Sequence, residues 1–179
     1  GRIELALAYS LAVPDEVEAE PLIDLPPYAI VAAHHPLARR KSVSLRDLAE
    51  EPFILLDLPH SRDYFFGLFR SAGIEPRIVF KSRSQELIRG LVAHGHGFAI
   101  QNAIPATTIA YDGNRIAVLA LEETLVPTRI MTLRLKHYAP RPAVHAFQTY
   151  VHEAFSPDGI FAPGSITPPG VDLVKRRKP

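Results

Sequence analysis

Two apolar periodicities alternate along this chain, and their alternation is the feature that most constrains its fold. Between the short apolar runs, apolar residues recur at helical spacing, as in Tyr64, Phe65, Leu68 and Phe69. Residues 3–9 read as a buried strand, and further strands are predicted at residues 53–56, 77–80, 98–100 and 116–121. This strand–helix–strand order predicts an α/β protein with a mixed or parallel sheet and helices on both faces.

The two central helices carry start and end signals. Gly73 is placed to end the first helix in a left-handed conformation, and Gly95 is placed to end the second with a positive φ. Ser84 can cap the start of the second helix. Its predicted buried face consists of Leu87, Ile88, Leu91 and Val92.

Other elements are predicted from weaker signals. Residues 17–24, 28–33 and 129–136 read as extended segments, and the Ser44–Asp47 spacing of a capping box predicts a short helix after it. Pro142 is suited to the first turn of a last helix. The predicted buried face of that last helix consists of Val144, Phe147, Val151 and Phe155.

Composition excludes several classes of protein. A chain that is 47% hydrophobic and 22% charged can bury a core, and a formal net charge of +1 gives no overall field for holding nucleic acid. The basic run at 175–178 reads as part of a solvated, flexible tail spanning 156–179. The absence of cysteine removes disulfides, thiolate metal sites and a cysteine nucleophile, and it fits a reducing compartment.

The start of the chain predicts a fragment. A strand pattern begins at Ile3, directly after Gly1, without an upstream segment to pair with it. We find no secretory signal pattern in residues 1–13, and no apolar stretch approaches the roughly 20 residues of a membrane-spanning helix. We therefore expect a chain that begins inside a domain.

The stretch His94-Gly95-His96-Gly97 invites a metal or phosphate interpretation, but backbone geometry explains its glycines. A zinc site needs three or four converging ligands, and no acidic residue lies near His94 and His96 in sequence. A phosphate loop requires a strand before the glycines and a helix after them, which is the reverse of the order here. We expect no metal and no cofactor.

A hydrolase interpretation also finds little support. The nucleophile-elbow pattern Gly-x-Ser-x-Gly is absent. Ser61 stands near His60 and Asp63, but neighbours in sequence rarely form a catalytic triad, whose members converge from different elements. We expect that the chain is not an enzyme.

Polar residues follow three predicted strands at the points where the strands end. In an open α/β sheet these carboxyl ends border the binding crevice, and helix N-termini there favour an anion. Each serine could instead merely cap its helix. The six polar residues are Ser61 and Arg62, Ser82 and Ser84, and Gln101 and Asn102. Tyr9 and Ser10 follow the opening strand and join the candidate set.

The order of motifs resembles the effector-binding domain of LysR-type transcriptional regulators over residues 1–155. The motifs are His35-Pro36-Leu37-Ala38, Ser44-Leu45-Arg46-Asp47-Leu48, Ala72-Gly73-Ile74-Glu75-Pro76 and Val92-Ala93-His94-Gly95-His96-Gly97. The resemblance implies a fold like that of type 2 periplasmic-binding proteins, with a small molecule held between two lobes. Residues 25–125 would form the second lobe, and residues 1–20 and 130–155 an incomplete first lobe.

The family places a winged helix-turn-helix ahead of this domain, and residues 1–179 show no recognition helix. The resemblance thus implies a cytoplasmic, oligomeric regulator that contacts DNA only through a part absent from this chain. The alternative is a solute-binding protein of a transport system with the same fold, which would need a secretion signal or a lipid-bearing cysteine. The identity of the effector stays open.

Overall fold

The computed structural model describes residues 3–10, 13–102, 107–137 and 139–162, which form two compact units. We call residues 26–126 the central unit, and residues 3–25 with 127–162 the terminal unit. The strands are β1 (Ala6–Tyr9), β2 (Val17–Leu25), β3 (Tyr28–Ala32), β4 (Ser42–Val43), β5 (Phe53–Leu56), β6 (Ile78–Ser82), β7 (Ala99–Gln101), β8 (Ile116–Leu121) and β9 (Thr128–Leu135). The helices are α1 (Ser61–Ser71), α2 (Gln85–Ala93) and α3 (Pro142–Ala154).

The terminal unit contains an antiparallel sheet in the order β1-β9-β2. Its register shifts between Pro21 and Ile23, as expected where proline cannot donate to the ladder. The helix α3 begins with Pro142 at its first turn, as predicted, and Glu20 of β2 contacts two of its polar side chains. Among the described residues of this unit, the buried apolar side chains are Ile23, Leu25, Val151 and Ala154.

The central unit contains strands in the order β4-β8-β3-β7, together with the parallel pair β5-β6. A parallel bridge between Phe53 and Phe98 connects the two groups, and the Ile54 N–H donates to the Phe98 carbonyl at 2.8 Å. The strands β6, β5 and β7 therefore run side by side in the same direction. Their carboxyl ends lie at one edge, where α1 and α2 begin.

An apolar core fills the central unit. The Phe53 ring lies 5.0 Å from that of Phe69 and 5.1 Å from that of Phe98, between centroids, and all three side chains are buried. Every residue of β3 is buried, because β3 lies between two other strands and under the helices. This packing accounts for the continuous apolar pattern of that strand.

Three sequence expectations require correction. Leu87 is 49% exposed and Phe147 is 51% exposed, so neither belongs to the buried face of its helix. Each stands at helical spacing with buried residues, but spacing alone does not tell how wide the covered stripe is. The segment after Ser44 forms turns instead of a helix, although the capping-box bonds between Ser44 and Asp47 do form.

Both predicted helix-ending glycines, Gly73 and Gly95, have positive φ, at 69° and 80°. Of the predicted flexible tail, residues 156–162 are described, and there the Phe161 N–H donates to the Ala154 carbonyl. The rest of that tail, 163–179, lies outside the described residues. In the described part of the chain, no helix is both long and apolar enough to cross a membrane.

Candidate functional site

The six predicted site residues of the central unit all lie at the edge where β5, β6 and β7 end. Leu56 of β5 pairs with Ser82 of β6, and the Asp57 N–H donates to the Ser82 carbonyl at 2.8 Å. Asn102 directly follows β7, which runs beside β5. The topology thus brings the turns after three strands together, as expected for the crevice side of an α/β sheet.

The start of α1 has an unusual backbone. His60, the residue before the helix, has a φ of 64°, a left-handed conformation that histidine adopts more readily than most residues. Its side chain makes no capping hydrogen bond. The first turn of α1 therefore presents N–H groups that no side chain caps, and these groups carry the positive end of the helix dipole.

Ser61 is buried and bonded to the chain itself. Its hydroxyl accepts a hydrogen bond from the Leu58 N–H at 3.1 Å and lies 2.9 Å from the Leu58 carbonyl, to which it can donate. These contacts fix the turn that leads into α1. The main role of the Ser61 hydroxyl is therefore to hold this turn in shape.

Arg62 points its guanidinium at Asp57. The two side chains form a bidentate pair, with Nε to Oδ1 at 2.9 Å and Nη2 to Oδ2 at 2.8 Å. This pairing neutralises the arginine that was expected to attract a ligand. Arg83, in the turn after β6, is exposed and makes no ion pair within the described residues, so its charge at this edge is not compensated there.

The two serines after β6 serve the turn between β6 and α2. The Ser84 hydroxyl accepts from the Leu87 N–H at 3.3 Å and caps α2. The Ser82 hydroxyl accepts from the Ser84 N–H at 3.0 Å. Both hydrogen bonds position the start of α2. This is the structural role that the sequence left open for these serines as the alternative to ligand binding.

Gln101 and Asn102 are buried at the end of β7, with exposures of 2% and 6%. The Asn102 Nδ2 donates to the Tyr64 hydroxyl at 2.9 Å, and that hydroxyl donates to the Val126 carbonyl. The Gln101 Nε2 is buried and has no hydrogen-bond acceptor within the described chain. A buried amide donor without an acceptor is costly, and such groups commonly await a ligand or a water molecule.

Tyr64 is a residue of this edge that sequence reasoning missed, because its helical spacing assigned it to the apolar face of α1. Its ring does pack against Phe65, yet its hydroxyl reaches the polar edge. Burial raises the pKa of Tyr64 to about 12, although the hydrogen bond from Asn102 acts in the lowering direction. Tyr64 is thus a neutral hydroxyl at the end of β7 over the whole physiological range.

The two remaining candidates belong to the terminal unit. Tyr9 ends β1 and is 43% exposed, and partial burial raises the pKa of its phenol. The Ser10 hydroxyl accepts from the Arg129 N–H at 3.1 Å, which joins it to β9.

The histidine stretch lies at the opposite end of α2 from this edge. His94 caps the C-terminus of α2, and its Nε2 lies 2.7 Å from Asp112 Oδ2 and 3.2 Å from Asn114 Nδ2. Within the described residues, no group of three or more His, Cys, Asp or Glu side chains has the arrangement of a metal site. The described contacts of His94 therefore tie the end of α2 to the turn at 111–114.

Comparison with known families assigns the chain to a class. Residues 1–156 match the LysR substrate binding domain. The chain belongs to this family, as its motif order indicated. The helix-turn-helix transcriptional regulator YnfL of Escherichia coli K12 is 28% identical over 158 residues, which are 86% of this chain and 52% of YnfL. The chain thus spans about half the length of this relative.

Solved structures of LysR family regulators have a fold similar to that of this chain. HinK, a LysR family transcriptional regulator from Pseudomonas aeruginosa, matches with a TM-score of 0.83 and 34% identity over 90% of this chain and 55% of HinK. The C-terminal domain of a probable LysR family regulator from Rhodococcus sp. RHA1 matches with a TM-score of 0.80 and 28% identity, covering 84% of this chain and 74% of that domain. The predicted α/β fold of the type 2 periplasmic-binding-protein class is confirmed.

Proposed function

We propose that this chain is the effector-sensing part of a LysR-type DNA-binding transcriptional regulator. Family membership supports this role over that of a transport protein, because the similar proteins are transcriptional regulators. The regulator would contact DNA only through a part outside this chain. It would act in the cytoplasm, where the chromosome lies, as a homo-oligomer.

We further propose that the edge formed by the ends of β5, β6 and β7 binds the effector. The observation that carries this proposal is the buried Gln101 Nε2, a donor without an acceptor in the described chain. It lies at the same edge as the start of α1, whose first turn has no side-chain cap. An oxygen of a bound molecule would supply acceptors for both.

The chemistry of the edge favours a small anion, such as a carboxylate. Uncapped N–H groups and the helix dipole at α1 attract negative charge, and Arg83 adds a cation that no described carboxylate neutralises. Asn102 and the neutral hydroxyl of Tyr64 would contribute hydrogen bonds that orient the molecule. Tyr9 and Ser10, in the terminal unit, stay predictions from the sequence.

We also infer that the chain is not an enzyme. Ser61 is bonded to the Leu58 backbone, and the described hydrogen bonds give its hydroxyl no histidine partner. A serine nucleophile needs a base within hydrogen-bond reach. The polar groups at this edge are therefore suited to binding a ligand.

The test is thermal unfolding of this chain in the presence of a panel of small carboxylates and phosphates. A molecule that binds only the folded state at 100 times its dissociation constant adds about 2.7 kcal/mol to the free energy of unfolding. We expect at least one carboxylate to raise the melting temperature. Gln101→Leu and Arg83→Gln should each reduce that rise by weakening affinity about tenfold.

Arg70→Gln is the matched control, because Arg70 is an exposed cation at the C-terminal end of α1, away from the proposed site at the start of that helix. It should leave the response to the anion unchanged. An equal loss in Arg70→Gln and Arg83→Gln would mean that the anion acts through general charge. A full response in both Gln101→Leu and Arg83→Gln would place the site elsewhere.

A further inference from the structure

Arg89 is a buried cation that the proposed site does not use. It lies in α2 between Ile88 and Gly90 and is 2% exposed. A guanidinium at such a position is costly unless its N–H groups find acceptors, and apolar side chains are far more common there. The contacts of Arg89 therefore indicate what it contributes.

The guanidinium holds two backbone carbonyls. Its Nη2 donates to the carbonyl oxygen of Thr107 at 2.7 Å and to that of Ile109 at 3.1 Å. Its Nε lies 3.1 Å from Oε1 of Glu86, one turn earlier in α2, but neither Nε nor Nη1 has a hydrogen-bond acceptor within the described residues. Hydrogen bonds from a charged donor are stronger than those between neutral groups, so this is a firm attachment of the segment 107–109 to the helix.

The other hydrogen bonds of this segment lead away from α2. The Ile109 N–H donates to the Thr107 hydroxyl, and the Thr108 carbonyl accepts from the Ile116 N–H. Ile109 also bridges Arg115. The segment is thus attached to the start of β8 on one side and to α2 through Arg89 on the other.

We propose that Arg89 is a positioning residue for the effector edge. Residues 107–109 come five to seven positions after Asn102 along the chain, beyond residues 103–106, which lie outside the described residues, and α2 begins at the same edge as Asn102. By tying that segment to α2, Arg89 keeps the end of β7 in place and holds the Asn102 amide against the Tyr64 hydroxyl. The proposal rests on the proposed function for its biological meaning, but its geometry can be tested without a ligand.

The test compares Arg89→Met with the parent chain by NMR and amide hydrogen exchange. Methionine keeps much of the volume of the side chain and removes every donor. We expect amide exchange at 107–110 to become about tenfold faster or more, while exchange in Phe53–Leu56 stays unchanged. The Asn102 side-chain amide signals should shift, and the pKa of Tyr64 should rise, because the hydrogen bond from Asn102 that lowers it is weakened.

Arg77→Met is the matched control, because Arg77 is an exposed arginine of the same unit that also donates to a backbone carbonyl, that of Glu50. It should alter neither the Asn102 signals nor the pKa of Tyr64. If Arg89→Met does not fold, Arg89→Lys replaces it, since lysine retains the charge and can reach one carbonyl.

Faster exchange at 107–110 with unchanged Asn102 signals and an unchanged Tyr64 pKa would overturn the proposal and leave Arg89 a purely structural residue. Unchanged exchange would overturn it as well. This experiment uses no ligand, so its result does not depend on whether any anion of the panel binds. The positioning role of Arg89 and the binding of an effector at the edge can therefore fail separately.

Discussion

The two units of this chain differ in how many apolar side chains they bury. The central unit encloses one cluster of buried apolar side chains, which includes four residues of β3, all of β5 and the rings of Phe69 and Phe98. The described part of the terminal unit buries few apolar side chains and carries exposed ion pairs such as Glu18–Arg134 and Asp24–Arg129. Apolar burial contributes far more to the free energy of unfolding than exposed ion pairs do, so the central unit should be the more stable.

The largest expected effect comes from the aromatic core of the central unit. Phe53→Ala should lower the free energy of unfolding by about 3–5 kcal/mol, because it leaves a cavity between Phe69 and Phe98. Phe147→Ala, the control in the terminal unit, removes a side chain that is 51% exposed and should cost about 1 kcal/mol or less. Urea unfolding measures both. If the two variants lose a similar free energy of unfolding, the expected difference in stability between the two units is wrong.

A second effect comes from a close approach of two backbones in the central unit. Gly97 has a φ of 149°, and a Cβ built there would lie 2.2 Å from the Pro52 carbonyl oxygen. Because the Phe98 N–H also donates to that oxygen, β5 and β7 would have to separate, and Gly97→Ala should cost about 1–3 kcal/mol.

The control for Gly97→Ala is Gly90→Ala. Gly90 lies inside α2 with no atom within 4 Å of an added Cβ, and alanine there should stabilise the helix by up to about 1 kcal/mol. Thermal unfolding should therefore move in opposite directions for the two variants. A gain in stability for Gly97→Ala would contradict the tight approach of Gly97 to Pro52.

A smaller effect is expected from the ion pairs of the terminal unit. Arg129 and Asp24 form two hydrogen bonds on facing residues of β9 and β2, and both side chains are more than 40% exposed. Asp24→Asn should change the free energy of unfolding by at most about 1 kcal/mol, and the effect should shrink in salt. A loss as large as that of Phe53→Ala would show that this unit depends on its charges.

The smallest effect concerns pH. The Ser44 N–H and hydroxyl hold the pKa of Asp47 below its ordinary value of 3.8. A carboxyl with a lowered pKa in the folded state stabilises the fold above its unfolded pKa, and that contribution disappears as pH falls through the folded pKa.

Acid titration of stability should therefore be slightly steeper below about pH 4 in the parent chain than in Asp47→Asn. This pH effect arises in the turn after Ser44, where the sequence predicted a helix. Identical titrations of the two chains would mean that the capping-box bonds do not persist in solution.

Local signals in the sequence were sufficient for most of the strand and helix order, for the helix-ending glycines and for the family; the helix expected after Ser44 is the exception. These features depend on neighbours along the chain: apolar period, capping residues and the backbone freedom of Gly73 and Gly95. The site was anticipated as an edge, since the polar residues Ser61, Ser82 and Asn102 follow three strands. In each case the signal is local, so it survives without knowledge of the fold.

Only the tertiary structure decided which partner each side chain finds. Arg62 pairs with Asp57, Leu87 faces solvent, and the hydroxyl of Tyr64 meets Asn102, 38 residues further along the chain. Helical spacing gives a direction around the helix axis, but packing against other elements decides which directions are covered. The buried guanidinium of Arg89 is the clearest case, because the carbonyls that it binds belong to Thr107 and Ile109, 18 and 20 residues further along the chain.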